Sequence, residues 1–121
     1  MKKNNVLIVE DDALLRETWI MFFENYGISI HTATNGLEAA EIIDQHPIEI
    51  IVTDLTMPVK DGYFVLDHIK SKKINIKTWV YSGHLLSSEK MLDNYSVDKI
   101  LTKPFDMKDS VNEIMSLVSE K

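Results

Sequence analysis

The chain has 121 residues, 45% of them hydrophobic and 26% charged, with 4 Gly and 3 Pro, which is the composition of a packed globule and excludes a disordered chain; at this length one domain is expected within these residues, without room among them for a catalytic domain and a separate effector. Thirteen Lys and Arg against nineteen Asp and Glu leave a formal net charge of -6, which repels a phosphate backbone and argues against direct nucleic-acid binding or attachment to anionic membranes. The absence of Cys excludes disulfides, thiolate nucleophiles and zinc-thiolate sites, and no apolar run approaches the length of a membrane span or a signal-peptide core, so the expected location is cytoplasmic with no membrane insertion.

In chain order, Val6-Leu7-Ile8-Val9 is a short β-branched apolar run, the pattern of a strand buried on both faces of a parallel sheet, and it stops at Glu10-Asp11-Asp12. Leu15, Thr18, Trp19, Phe22, Phe23 and Tyr26 then recur at helical spacing, with Asp12 placed to cap the helix and Gly27 to close it. Residues 28–33 read as a second strand, 36–45 as a helix ended before His46-Pro47, and 48–53 as a third strand that runs into Asp54. Pro58, Asp61 and Gly62 mark a loop, followed by a helical stripe of Phe64, Val65, Leu66 and Ile69 that ends in basic residues, as suits a helix C-terminus. Residues 76–81 form the fourth predicted strand, 87–94 a weakly patterned fourth helix, 99–102 a fifth strand, and Met107, Val111, Ile114 and Val118 the stripe of a fifth helix. Five strands alternating with five helices predict an α/β fold with a doubly wound (βα)5 architecture, spanning residues 1–121 as one domain. Its parallel sheet has helices on both faces, and function is expected at the C-terminal ends of the strands.

Polar residues of chemical interest lie at those ends: Glu10-Asp11 after the first strand, Asp54 after the third, Ser82-Gly83 after the fourth and Lys103 after the fifth. In the strand order 2-1-3-4-5, Asp11 and Asp54 converge across neighbouring strand tips, and converging carboxylates need a compensating cation. An all-oxygen donor set without His or Cys suits Mg²⁺. A hard divalent ion, a lysine ammonium and a carboxylate together suit phosphoryl transfer, with Asp54 as the nucleophile because a buried strand holds it, and Lys103 as a fixed positive charge. The Ser82 hydroxyl can donate to a phosphoryl oxygen, and Gly83 allows its backbone N–H to approach the same group.

These segments together resemble the receiver domain of two-component response regulators, a CheY-like, flavodoxin-like family. The resemblance is carried by residues 7–12 (Leu-Ile-Val-Glu-Asp-Asp), 52–58 (Val-Thr-Asp-Leu-Thr-Met-Pro) with Asp61-Gly62, Tyr81-Ser82-Gly83, and Thr102-Lys103-Pro104-Phe105. It implies that Asp54 accepts a phosphoryl group from the phosphohistidine of a sensor histidine kinase or phosphotransfer protein, or from a small acyl phosphate. It further implies that Asp11, Asp54 and the Thr56 carbonyl ligate Mg²⁺, for which Mn²⁺ can substitute, with Glu10 acting through water. Lys103 would pair with the acceptor site and Ser82 would be the switch residue. The resemblance makes this a signalling module, capable only of self-phosphorylation and self-dephosphorylation, that controls a partner or a fused output domain. Ile100 stands where many family members have an aromatic residue, so an aromatic-rotamer readout is not expected.

Two other functions compete. A Mg²⁺-dependent phosphohydrolase with an aspartyl-phosphate intermediate would need a carboxylate two residues beyond the nucleophile, where Thr56 stands; a receiver reduced to protein interaction would not need every chemical position filled. His31, His46 and His68 read as surface or satisfied residues, whereas His84 and Thr56 fall at the rim of the site. Trp19, Met21, Phe22 and Phe23 on the first helix read as core before partner surface, although so many large residues cannot all face inward and those left outside would suit a kinase helix. The opposing face, from the fourth strand and predicted fourth helix to the fifth strand and helix, offers Trp79, Leu86, Leu101 and Met115 for an output domain or a second copy of the chain.

Overall fold

The computed structural model describes residues 5–57, 59–82, 92, 94–102 and 105–117. The elements are β1 (Asn5–Val9), α1 (Ala13–Glu24), β2 (Ser29–Ala33), α2 (Gly36–Gln45), β3 (Ile50–Asp54), α3 (Gly62–Lys72), β4 (Lys77–Ser82), β5 (Lys99–Thr102) and α4 (Met107–Ser116). The five strands form one parallel sheet in the order β2-β1-β3-β4-β5, the doubly wound order expected from the alternating pattern. Most of the predicted fourth helix, together with Leu86 and Val118, lies outside the described residues.

Each helix starts where a short acceptor can take up its orphan backbone N–H groups. Asp12 accepts from the amides of Leu14 and Leu15, Asn35 from Glu38, Asp61 from Phe64, and Asp106 from Asp109. Glu38 in turn reaches back to the amide and hydroxyl of Thr34, which lowers its carboxyl pKa below the ordinary value. Helix α1 ends at Glu24 and the chain reverses at Gly27, whose φ of 65° is the left-handed conformation that favours glycine.

Alternation along the strands sorts the core into two layers. Val6, Ile8, Ile50, Val52, Trp79 and Tyr81 face α1 and α4, packing on Trp19, Phe23, Val111 and Ile114. Leu7, Val9, Ala33 and Ile51 face α2 and α3, packing on Ala39, Ile43 and Val65. A smaller cluster of Leu55, Leu66, Val80 and Leu92 takes in Ile100 with Tyr63 and Tyr95. Tyr95 also donates to Asp67, and that hydrogen bond first, then burial, pushes its pKa up to about 12.

Three strands start later than their apolar runs predict. Ile28, Ile48 and Ile76 precede the ladders and pack beneath them, on the α1/α4 face for Ile28 and the α2/α3 face for the other two. At residue 48 the reason is local: Pro47 lacks an N–H, and Ile48 donates back to the His46 carbonyl, so sheet bonding resumes only with Glu49 donating to Asn5. On the first helix, Trp19 and Phe23 are core, as expected, Phe22 packs partly against the core and Met21 is the member left well exposed. The expected contact residues of the opposite face are corrected: Trp79 is almost wholly buried, Leu101 is buried and Met115 packs partly against the core. Trp79 faces inward because it shares its strand face with Tyr81. No helix among the described residues is long and apolar enough to cross a membrane.

Candidate functional site

The same two-residue period that places Val6 and Ile8 on the α1/α4 face places Glu10 there, and Ile50 and Val52 likewise carry Asp54. Because β1 and β3 are neighbours in parallel register, both acids emerge at the C-terminal edge of the sheet, and Asp11 follows at the mouth. One carboxylate oxygen from each of Glu10, Asp11 and Asp54 lies within 4.8 Å of the others. Glu10 and Asp54 are buried, at 1% and 4% exposure, while Asp11 is exposed. Three carboxylates this close repel one another, and burial of two of them removes most of the water that would screen the repulsion. The set consists of hard oxygen donors with one member open to solvent, which fits a small divalent cation and does not fit a thiophilic metal.

The two buried acids are held by their surroundings. Glu10 Oε2 accepts from the Asp12 amide at 3.0 Å, and Oε1 accepts from the Tyr81 hydroxyl. Tyr81 OH in turn accepts from Trp19 Nε1 at 3.3 Å. Burial, and then the neighbouring Glu10 carboxylate, push the Tyr81 phenol well above its ordinary pKa, so it remains a donor. Asp54 Oδ1 accepts from the Thr56 amide at 3.0 Å, an Asx-type turn that fixes the carboxylate's rotation. Arg16 Nη1 donates to the Glu10 carbonyl at 2.9 Å and ties the first turn of α1 to the end of β1. Behind Asp54, Gly62 leaves the space that the strand end needs: a Cβ there would come within 2.6 Å of the Asp54 carbonyl oxygen.

Of the residues predicted to form the site, Glu10, Asp11 and Asp54 bring their carboxylates together, and Thr56 adjoins Asp54 through its backbone amide. Ser82 ends β4 opposite Thr102 in the β5 register. Gly83, His84, Lys103 and Pro104 lie outside the described residues. Tyr81 and Arg16 were not singled out from the sequence. Tyr81 carried a signal, since strand alternation places it on the face that bears Asp54, its register partner; Arg16 carried none beyond its place in the first helical turns. Asp12 is a helix cap, as its position predicted. His68 is satisfied by Asp44 at 2.9 Å, and the rings of His31 and His46 pack with centroids 4.5 Å apart. A separate cleft of about 430 Å³, lined by Leu66, Ile69, Lys70, Tyr95 and others, lies by the N-terminal end of β4, away from the carboxylates.

Comparison with known proteins agrees with this arrangement. The chain is 27% identical over 120 residues to the aerobic respiration control protein ArcA of Escherichia coli strain K12, covering 98% of this chain and 50% of ArcA. It is 33% identical over 116 residues to response regulator RR06 of Streptococcus pneumoniae, covering 94% of this chain and 52% of that protein; the chain thus spans about half the length of these relatives. The receiver domain of the Francisella response regulator 1452 superposes with a TM-score of 0.84 at 28% identity, covering 94% of this chain and 95% of that one. Residues 6–115 match the response regulator receiver domain, and with the 2-1-3-4-5 sheet and its acidic edge they establish that the chain belongs to that family of two-component signalling domains.

Proposed function

We propose that residues 1–121 act as one phosphoacceptor switch in which Asp54 takes a phosphoryl group from the phosphohistidine of a sensor histidine kinase or phosphotransfer protein, or from a small acyl phosphate. The observation that carries this reading is the convergence of three carboxylates from adjacent strand ends within 4.8 Å. Asp11, Asp54 and the Thr56 carbonyl would hold Mg²⁺ or Mn²⁺, with Glu10 acting through water. The bound cation would offset the negative charge of the acids and of the phosphoryl oxygens. An Asp54 carboxylate oxygen attacks phosphorus, a P–O bond forms as the donor's P–N or P–O bond breaks, and the donor leaves as imidazole or carboxylate. The Thr56 amide holds Asp54 in one rotation for that attack.

Lys103, Ser82 and the Gly83 amide are the proposed partners of the phosphoryl oxygens. Phosphorylation adds roughly 1 to 2 negative charges and three acceptor oxygens, which recruit those groups and bias the β4–β5 side toward the state read by a partner or fused output domain. Ile100 packs with Leu55, Leu66, Val80 and Leu92, so this readout proceeds without an aromatic at that position. On α1, Leu14 and Met21 are exposed and seven residues apart, about two helical turns, so a partner can reach both from one side of the helix.

Incubation with acetyl phosphate and Mg²⁺ followed by intact-mass measurement tests the reading. One phosphoryl group is expected on the wild-type chain and none on Asp54→Ala. Equal uptake by that variant, or no uptake from any donor including phosphohistidine, would refute it, and sustained phosphate release from varied esters would mark a hydrolase instead.

A further inference from the structure

The hydrogen bond between Tyr81 and Glu10 joins strands that are not neighbours. Glu10 follows β1 and Tyr81 belongs to β4, with β3 between them. Two strand spacings separate their backbones by roughly 10 Å, a gap that a tyrosine and a glutamate reaching toward each other can close. The bond therefore crosses the strand that carries Asp54, on the face from which Asp54 projects, and Tyr81 is the register partner of Asp54 itself. The phenol is fixed from below: its ring packs edge-on against Phe105 with centroids 5.4 Å apart and lies 5.8 Å from Trp19, whose Nε1 donates to the hydroxyl.

We propose that Tyr81 is a positioning residue for the cation site, holding the Glu10 carboxylate in the orientation from which it supports a divalent cation shared by Asp11 and Asp54. This rests on the phosphoacceptor reading and names a determinant of its cation affinity. With Oε1 held by Tyr81 and Oε2 by the Asp12 amide, Glu10 contributes its charge without turning toward Asp54 or swinging across the site. The second of those donors is backbone and depends only on the turn. The first is a side-chain hydroxyl, so a single oxygen atom can be removed without disturbing the ring.

The test is Mg²⁺ titration by calorimetry of the full chain and its Tyr81→Phe variant, with folding checked by circular dichroism. The wild type should bind Mg²⁺, and Tyr81→Phe should bind it about tenfold more weakly, the lower end of the loss found when a group orienting a metal ligand is removed. In a Glu10→Gln background the added Tyr81→Phe change should weaken binding by no more than about twofold, because a residue acting through Glu10 is non-additive with it. Trp19→Phe, which removes the donor that orients the phenol, should weaken binding in the same direction by less. If Tyr81→Phe fails to fold, the Trp19→Phe titration decides.

Unchanged or tighter Mg²⁺ binding in folded Tyr81→Phe would overturn the positioning role, as would losses that multiply with Glu10→Gln. Either result leaves the phosphoacceptor reading intact. Absence of Mg²⁺ binding by the wild type would overturn that reading and this inference with it.

Discussion

The two faces of the sheet are built from alternate residues of the same strands, yet they differ in kind. Toward α1 and α4 the core holds Trp19, Phe23, Trp79 and Tyr81; toward α2 and α3 the buried cluster is aliphatic apart from Met57. Both layers bury apolar surface, but only large aromatics with polar tips can bury their bodies while presenting a hydrogen-bonding group at the far end. Tyr81 and Trp19 use that property to link the core to Glu10. The aromatic face is thus where packing and site chemistry share side chains, and the aliphatic face is where packing stands alone.

Truncation on the aliphatic side should separate the two most sharply. Ile51 is fully buried there, and Ile51→Ala is expected to cost about 2–5 kcal/mol in urea unfolding, while Mg²⁺ affinity of the folded fraction stays at the wild-type value. A matching loss of affinity would show that the two faces are not separable. Gly62→Ala probes the point where they meet. Its new Cβ would press within 2.6 Å of the Asp54 carbonyl oxygen and 2.8 Å of the Leu55 Cα, atoms that cannot rotate away. The expected result is a loss of about 1–3 kcal/mol, as for overpacking, together with slower phosphoryl uptake in the acetyl phosphate assay. Uptake at the wild-type rate would mean that the end of β3 absorbs the strain without moving its carboxylate.

A smaller effect distinguishes two adjacent acids. Asp12 caps α1 with its side chain but meets Glu10 only through its backbone amide. Asp12→Ala should therefore cost about 1 kcal/mol of stability, the usual worth of a helix cap, and leave phosphoryl uptake in place, whereas Asp11→Ala should suppress uptake strongly with little change in unfolding. The reverse pattern would exchange their roles.

The cap at Asp12 was legible in the sequence, because a cap is defined by its distance from the helical stripe, and so was the place of Asp11 beside Glu10 and Asp54, because it follows the end of a buried strand. Alternating runs likewise revealed the strand and helix order, and strand order made Asp54 meet Glu10 and Asp11. Interactions that depend on side-chain reach across several strands were hidden. Tyr81 reads as one more apolar strand residue until the positions of β1 and β4 on either side of β3 are known, and Trp79 reads as a surface candidate until its face is fixed. Strand starts were misplaced for the opposite reason: Ile28, Ile48 and Ile76 are apolar because they pack, and packing begins before the ladder does.

The smallest expected effect lies at the sheet edge farthest from β5, where His31 of β2 packs against His46 at the end of α2. Partial burial, and then the neighbouring His46, hold the His31 pKa below its ordinary value of 6.5. The unfolded chain therefore binds a proton at this residue before the folded chain does. The associated stability is fully present above the unfolded pKa and is lost as pH falls through the folded one. Urea unfolding of the wild type and of His31→Gln, measured from about pH 7.5 down to about pH 5, should give a shallower acid-side decline in the variant, since glutamine has no proton to take up. Carboxylate protonation contributes to the decline in both chains and cancels in the comparison. Identical slopes would show that the ring pair is too well solvated to couple protonation to folding, and would leave the aliphatic face with no pH dependence of its own at this edge.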